Sequence, residues 1–443
     1  MTALGARIRW IGSARTSASA VAFSLVSRVA ILVVNVATGI IVARTLGPAG
    51  RGAAAAMALW PIVISGLLTF GIPSALRYEM QRRRDGPGDF LSSALAMTGI
   101  LGVLAFAIGF AIVPHILMHY PPPVIAFAQS MMVFAPLMLL NATLQAFYES
   151  QADFKRSNAM NYIPPLLTLA GLGLLHAAND VTPFSVALVY ELPFALMTLS
   201  TLVVLRRSLR FPHQMAGRVR SLLHYGTRAY GIDILTTLAG QIDQAMVVGL
   251  LSAGNFGLYA VAVNGSRILS LLAASLNTVL FPRASRLEAS QAVELVNRSA
   301  RIVFACTSIA TLAFILALPV LVPIAYGKEY SPIVGVTGLL SIAMLLGATS
   351  ATFTQSFMAT GRPEIATILQ GIGICTTVPL MLQLIPRFGL TGAAYAVDIS
   401  NALRFALVML AYPLALRRPM PRLLLTRRDL RDLFGRLRRV PAA

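Results

Sequence analysis

Apolar runs about as long as a bilayer is thick recur from end to end of this chain, and that recurrence limits the fold more than any other feature. About 20 residues of helix cross the hydrocarbon core of a membrane. Twelve stretches meet that length: 19–43, 52–76, 91–113, 123–148, 159–178, 183–205, 227–250, 257–281, 301–325, 331–358, 363–385 and 389–416. Lipid offers no partner to an open backbone group, so only helices and closed barrels can span it. These runs are continuous, whereas barrel strands alternate in polarity. The predicted fold class is all-α, a polytopic membrane protein of twelve transmembrane helices.

Composition agrees. Of the 443 residues, 57% are hydrophobic and 12% charged, about half the charge density of a soluble domain. Too few charges remain to cover a water-facing surface of this size. The formal net charge of +20 would suit nucleic acid only on a basic face of a soluble domain. Here the arginines sit in short links between apolar runs, so nucleic acid is not an expected partner. The two cysteines, Cys306 and Cys375, lie in apolar runs and read as small core residues, with no disulfide framework, metal site or cofactor. Arg7, Arg9 and Arg15 precede the first run as in a signal peptide, but Arg28 interrupts that run, and it continues to about Val42 without a cleavage site. It reads as a retained first helix.

The arginines also set the expected topology. One set of links carries Arg82, Arg83 and Arg84, Lys155 and Arg156, Arg206, Arg207, Arg210, Arg218 and Arg220, Arg283, Arg286 and Arg298, and Arg362. The other carries only Arg44, Arg51, Lys328 and Arg387. Both termini fall on the basic side, which places them in the cytoplasm. Beyond the last span, residues 417–443 form a basic tail in which Leu430, Leu433, Phe434 and Leu437 recur at helical spacing among arginines. Such a helix would lie along an anionic leaflet. The longest internal link, 206–226, divides the chain into an N-terminal six-helix half, 1–205, and a C-terminal one, 227–416.

The halves show a weak repeat at an offset of 205 residues. Leu46-Gly47-Pro48-Ala49-Gly50-Arg51-Gly52 in the first matches Leu251-Ser252-Ala253-Gly254-Asn255-Phe256-Gly257 in the second, with Gly52 and Gly257 in register. Each reads as a helix end, a tight turn and a new helix. An even number of spans per half makes the repeat parallel, an arrangement in which transporters place substrate between the halves near the midplane.

At these residues the sequence resembles a known family. Ala43 through Gly52 is similar to the first outer turn of the oligosaccharide-lipid flippases, polysaccharide biosynthesis proteins of the multidrug/oligosaccharidyl-lipid/polysaccharide exporter superfamily. Gly71-Ile72-Pro73-Ser74-Ala75-Leu76 resembles the end of their second helix. The stretch Gln241-Ile242-Asp243-Gln244, Gly257-Leu258-Tyr259-Ala260 and Leu280-Phe281-Pro282-Arg283 resembles their seventh and eighth. The resemblance implies two six-helix bundles around a V-shaped central cavity in the bacterial inner membrane. It also implies alternating access for an undecaprenyl-pyrophosphate-linked sugar, with membrane lipids, a polysaccharide polymerase and export proteins as partners. Two features depart from the pattern. The second outer turn lacks the proline of the first, and no thirteenth and fourteenth spans follow, which argues against the peptidoglycan precursor lipid II as substrate.

Charges inside spans are costly and usually face a cavity or a partner. A flippase needs fixed cations for phosphate and amides for sugar, and arginine offers paired donors with a permanent charge. Arg28, Arg267 and Arg404, with Asn35, Gln241, Asn264, Asn277 and Asn401, are the expected substrate-binding set, led by the row Asn264–Arg267–Asn277. Asp233, Asp243 and Asp398 are the candidates for a coupling Na⁺ or H⁺. The structural alternative is that these charges only pair: Asp233 aligns with Arg28 under the offset, and Arg404 lies six residues after Asp398, a poor helical spacing. Two rival functions stand beside the flippase. A cation-coupled drug exporter of the same superfamily would use the aspartates. A membrane glycan polymerase or glycosyltransferase needs a sizeable loop with catalytic groups, and the links here are short with no nucleotide, phosphate-loop or paired-carboxylate motif.

Overall fold

A computed structural model of the chain describes residues 3–82, 87–206, 209, 215–285 and 287–426, with side chains described from Ala30 onward except at 87, 215, 216, 232, 272, 278, 279 and 281–283. The amphipathic reading of the tail at Leu430–Leu437 lies outside these residues. The described residues form helices and turns without a strand, as the apolar runs require. The order is α1 (Ala3–Leu67), α2 (Ile72–Arg82), α3 (Pro87–Ile116), α4 (Pro122–Met131), α5 (Phe134–Ser150), α6 (Phe154–Ala177), α7 (Pro183–Leu205), α8 (Met215–Leu250), α9 (Ala253–Arg267), α10 (Leu271–Ala284), α11 (Ala289–Tyr326), α12 (Ile333–Ala359) and α13 (Pro363–Ala411). Among the described residues, seven helical segments are long and apolar enough to cross a membrane. Ile100, Leu174, Ile309 and Leu316 are exposed on their flanks, which water disfavours and lipid does not.

Two of the long helices double back. In α1 the turn is at Gly47, where φ is 64°. Arg51 donates from Nη1 to the carbonyl of Gly39, which an unbroken helix would hold about 18 Å away. In α13 it is at Gly389, with φ 58°. Glycine alone adopts this left-handed backbone freely, so each turn joins two expected spans with almost no loop. α6, α8 and the α9–α10 pair occupy the other expected spans with more polar sequences.

Three spans expected to be continuous are broken. The second breaks over Leu68–Gly71 and resumes as α2; Phe70 and Gly71 have φ of 44° and 67°. The fourth divides into α4 and α5, because Pro136 has no N–H to give the preceding turn. The eighth divides at a 3₁₀ turn, Ile268–Ser270. There Ser266 and Ser270 bond back to the carbonyls of Val263 and Arg267 at 2.9 and 2.7 Å, competing with the helix ladder. α8 begins at Met215, inside the stretch read as a link. Cys306 and Cys375, expected in the core, are exposed; a thiol is apolar enough to face lipid.

Helices α3–α7 pack against α1, with α2 set against α3, α5 and α8, and α9, α10, α11 and α13 pack against α12. The two groups meet through α1, α8 and α9. Their shared core joins Met57, Trp60 and Ile64 of α1 to Val247 and Val248 of α8 and to Phe256 and Tyr259 of α9.

Candidate functional site

The seam between the groups has two different ends. At the Gly47 end the turns meet backbone to backbone. A Cβ built on Gly52 would sit 1.7 Å from the carbonyl oxygen of Ala253, and one on Gly257 would sit 1.9 Å from that of Pro48. Side chains reinforce this closure. Arg44 donates from Nε to the carbonyl of Ala325 at 2.8 Å and from Nη2 to that of Ile324, the negative end of the α11 dipole. Tyr330 donates to the carbonyl of Ala43 at 3.3 Å. Arg51 is 5% exposed, and its Nε has no partner.

At the arginine-rich end, α2 lies against the start of α8. Phe70 stacks on Tyr230 and Tyr78 on Tyr225, and Ser221 donates to Glu79 at 2.5 Å. Asp89 pairs with Arg218 at 2.6 Å and Arg77 with Glu149 at 2.7 Å. The described ion pairs, Arg156–Asp153 at 3.5 Å included, all lie at this end.

Deeper in the bundle, three of the expected site residues converge. Tyr259 of α9 is 0% exposed and donates to Asp243 of α8 at 3.2 Å. Arg267 and Asp398 both lie within electrostatic reach of that tyrosine. Arg267, the last residue of α9, donates from Nη2 to the carbonyl of Gly240 at 2.6 Å. Gln241, next on α8, accepts from Gln244 at 3.1 Å. Asp398 faces the backbone of Ala343 on α12. One oxygen of Asp243 and one of Asp398 have no hydrogen-bond partner. Among the described residues Arg267 makes no ion pair. Two carboxylates against one guanidinium leave a net negative charge when all are ionised. Asn264, one turn before Arg267, is exposed, and Asn277 on α10 is half-buried with its Oδ1 unpartnered.

The rest of the expected set does not join this cluster. Arg404 turns into the packing of α12 and α13, donating to Gln370 at 2.6 Å and to the carbonyl of Gly347 at 3.3 Å. Gly347 and Gly373 leave room for it: a Cβ on Gly373 would stand 3.3 Å from its Cδ. It does not bond Asp398. Asn401 donates to Val397 on its own helix at 3.0 Å. Asp233 accepts from Ser74 through both oxygens at 3.4 Å. Asn35 is exposed on α1. Arg28 lies on α1 as well, but its side chain, and with it the alignment to Asp233, falls outside the described ones.

The profile of a family described as polysaccharide biosynthesis protein matches residues 41–335, a span that holds Gly52 and Gly257 at the seam, Asp243 and Arg267. The chain belongs to the polysaccharide biosynthesis protein family. An uncharacterized membrane protein of Methanocaldococcus jannaschii is 25% identical over 356 residues, 73% of this chain and 70% of the relative. Among solved structures, the lipid II flippase MurJ in an inward closed conformation aligns at a TM-score of 0.71 with 14% identity, over 87% of this chain and 86% of that one. An inward-facing multidrug resistance MATE family transporter aligns at 0.68 with 13% identity, over 94% and 100%. A transporter of the same superfamily from Pyrococcus furiosus aligns at 0.58 with 13% identity, over 89% and 94%. This polysaccharide biosynthesis protein shares its fold with these transporters.

One buried charge of this polysaccharide biosynthesis protein escaped the sequence reading. Glu191 of α7 is 2% exposed, and its Oε2 is unpartnered. It is the one charged residue in the run 183–205, and that isolation was its signal.

Proposed function

We propose that this protein flips an oligosaccharide carried on a polyprenyl pyrophosphate across the bacterial inner membrane, for surface polysaccharide synthesis, by alternating access. In this reading residues 1–205 and 227–416 are the two moving halves, 206–226 joins them, and the arginine-rich end with both termini is cytoplasmic. The observation that carries the reading is Arg267. It is a permanent cation deep in the bundle, at a broken helix beside the seam, with no described carboxylate in ion-pair distance. A cation held to a backbone carbonyl, rather than sealed against an acid, keeps donors for a diphosphate. Exposed Asn264 on the same helix supplies an amide for sugar. The closed Gly47 end supports a state that admits substrate from the opposite side. The polyprenyl chain stays in lipid throughout, so only the head group crosses.

The test is a deletion strain. Loss of one surface polysaccharide, with its lipid-linked unit accumulating on the cytoplasmic leaflet and both reversed by the intact gene, is expected. A deletion strain with intact surface glycans and raised drug sensitivity would instead favour the cation-coupled drug exporter. One observation speaks for that second reading: Asp243 and Asp398 each keep an unpartnered oxygen. The flippase reading uses the same pair to hold the coupling Na⁺ or H⁺.

A further inference from the structure

At the arginine-rich end, away from the seam, a cavity of about 530 Å³ opens among the first turns of α11, the α12–α13 turn and the segment after α13. Its lining includes Val293, Thr360, Arg362, Leu414, Arg417 and Arg418. No residue from α1–α10 contributes. The wall is fixed by buried contacts. Tyr412, 0% exposed, shares a hydrogen bond of 2.8 Å with Ser356 and packs edge-on against Phe353 and Phe357. From that anchor a π turn, Tyr412–Leu416, ends α13, and Arg417 follows with φ of 51°. A left-handed arginine is uncommon and strained. Here it places Arg417 and Arg418 on the cavity wall where a continuing helix would carry them past it. Across the cavity, Arg362 donates from Nη1 to the carbonyl of Ala415, so its guanidinium is tethered at the rim.

The same segment carries apolar residues on its outer face. Leu414 is 80% and Leu424 78% exposed, with Met420 also exposed, interleaved with Arg417, Arg418 and Arg422. Two acids stand near the rim, Glu288 before α11 and Glu364 in the first turn of α13. Among the described ion pairs neither engages these arginines. Three guanidinium groups around a recess, beside leucines that suit acyl chains, match an anionic lipid head group better than a soluble anion, which has no use for the leucines. Basic recesses between helices on the cytoplasmic side commonly take such lipids.

We infer that this cavity binds the phosphate head group of an anionic phospholipid of the inner leaflet, with its acyl chains lying over Leu414 and Leu424. The inference rests on the arginine-rich end being a membrane surface and is independent of the transported substrate. It would tether the end of α13 to the leaflet while other helices move.

Native mass spectrometry of the purified full chain provides the test, with phosphatidylglycerol, phosphatidylcholine and inorganic phosphate as probes. A saturable phosphatidylglycerol adduct is expected, tighter than phosphatidylcholine by about tenfold, undisturbed by excess phosphate, and weakened by about tenfold in Arg417→Gln/Arg418→Gln. Equal affinity for the two lipids, displacement by phosphate, or an unweakened double variant would overturn it. Should that variant fail to insert, Leu414→Trp in the otherwise unchanged chain gives a second readout. Dibrominated phosphatidylglycerol should quench its fluorescence more than dibrominated phosphatidylcholine, and equal quenching overturns the inference. Neither measurement involves transport, so failure of the flippase reading leaves the result interpretable.

Discussion

Gly52 and Gly257 hold equivalent places on opposite sides of the seam, each with its Cα against the turn of the other. The Ala253 oxygen would lie 1.7 Å from a Cβ on Gly52, and the Pro48 oxygen 1.9 Å from one on Gly257. Neither distance can be relieved by a side chain, since both obstacles are backbone. Gly52→Ala or Gly257→Ala therefore separates the turns, at a cost to the closed form of about 2–4 kcal/mol. That is at least about thirtyfold in the closed-to-open ratio. A cysteine at buried Val248, in a chain lacking Cys306 and Cys375, should react with an impermeant maleimide at least about tenfold faster in either glycine variant. The double variant should gain little more, because both substitutions relieve one contact. Unchanged labelling would mean that this end does not open at the glycines.

Arg44 and Tyr330 close the same end by weaker means. Arg44 is exposed, and its two bonds go to carbonyls that water could satisfy. Arg44→Ala should shift the equilibrium by only about 0.5–1 kcal/mol, a two- to fivefold gain in Val248 labelling. Tyr330→Phe removes one bond to Ala43 and should do about the same. An effect as large as that of the glycine variants would mean that the latch, and not the close approach, holds the seam.

Arg267→Ala should lower polysaccharide export by at least about tenfold while protein level stays unchanged. Arg267→Lys keeps the charge but not the fork and should restore part of it. Full export by the alanine variant refutes a role in binding substrate.

How much of this could be read from the residues depends on what kind of signal each feature leaves. The spans are written in composition, because lipid tolerates few polar residues, and Gly52 and Gly257 could be paired because the two similar turns place them in register. Side-chain direction leaves no such trace. Arg267 and Arg404 look alike in sequence, each a lone arginine mid-span, yet one reaches Gly240 beside the seam and the other is cradled by Gly347 and Gly373 within α12 and α13. Cys306 and Cys375 are exposed rather than in the core, and a membrane helix apolar on both sides lacks the stripe that marks an interior face in water. The break after Arg267 depends on serine hydroxyls bonding back to the chain, and serine in a membrane helix as often leaves it straight.

Asp243 and Asp398 carry the last prediction. With Arg267 they make a cluster of two negative charges and one positive near Tyr259, deep enough that a net charge is costly. A bound Na⁺ or a proton on one carboxylate brings the sum to zero, so in the proposed mechanism a cation gradient would drive the structural change that exposes the cluster. Asp243→Asn or Asp398→Asn reaches the same sum without any ion. Each single variant should therefore bind substrate but lose its dependence on the gradient, and export should fall to the slow rate of an uncoupled carrier, at least about tenfold below normal. Replacing both leaves Arg267 unopposed, with a net positive charge, and should trap an anionic head group: binding tightens while export stops. Transport in proteoliposomes with imposed Na⁺ or pH gradients distinguishes these outcomes. A single variant that still responds fully to the gradient would remove the pair from the coupling mechanism and point to Glu191, the other deeply buried acid in a span.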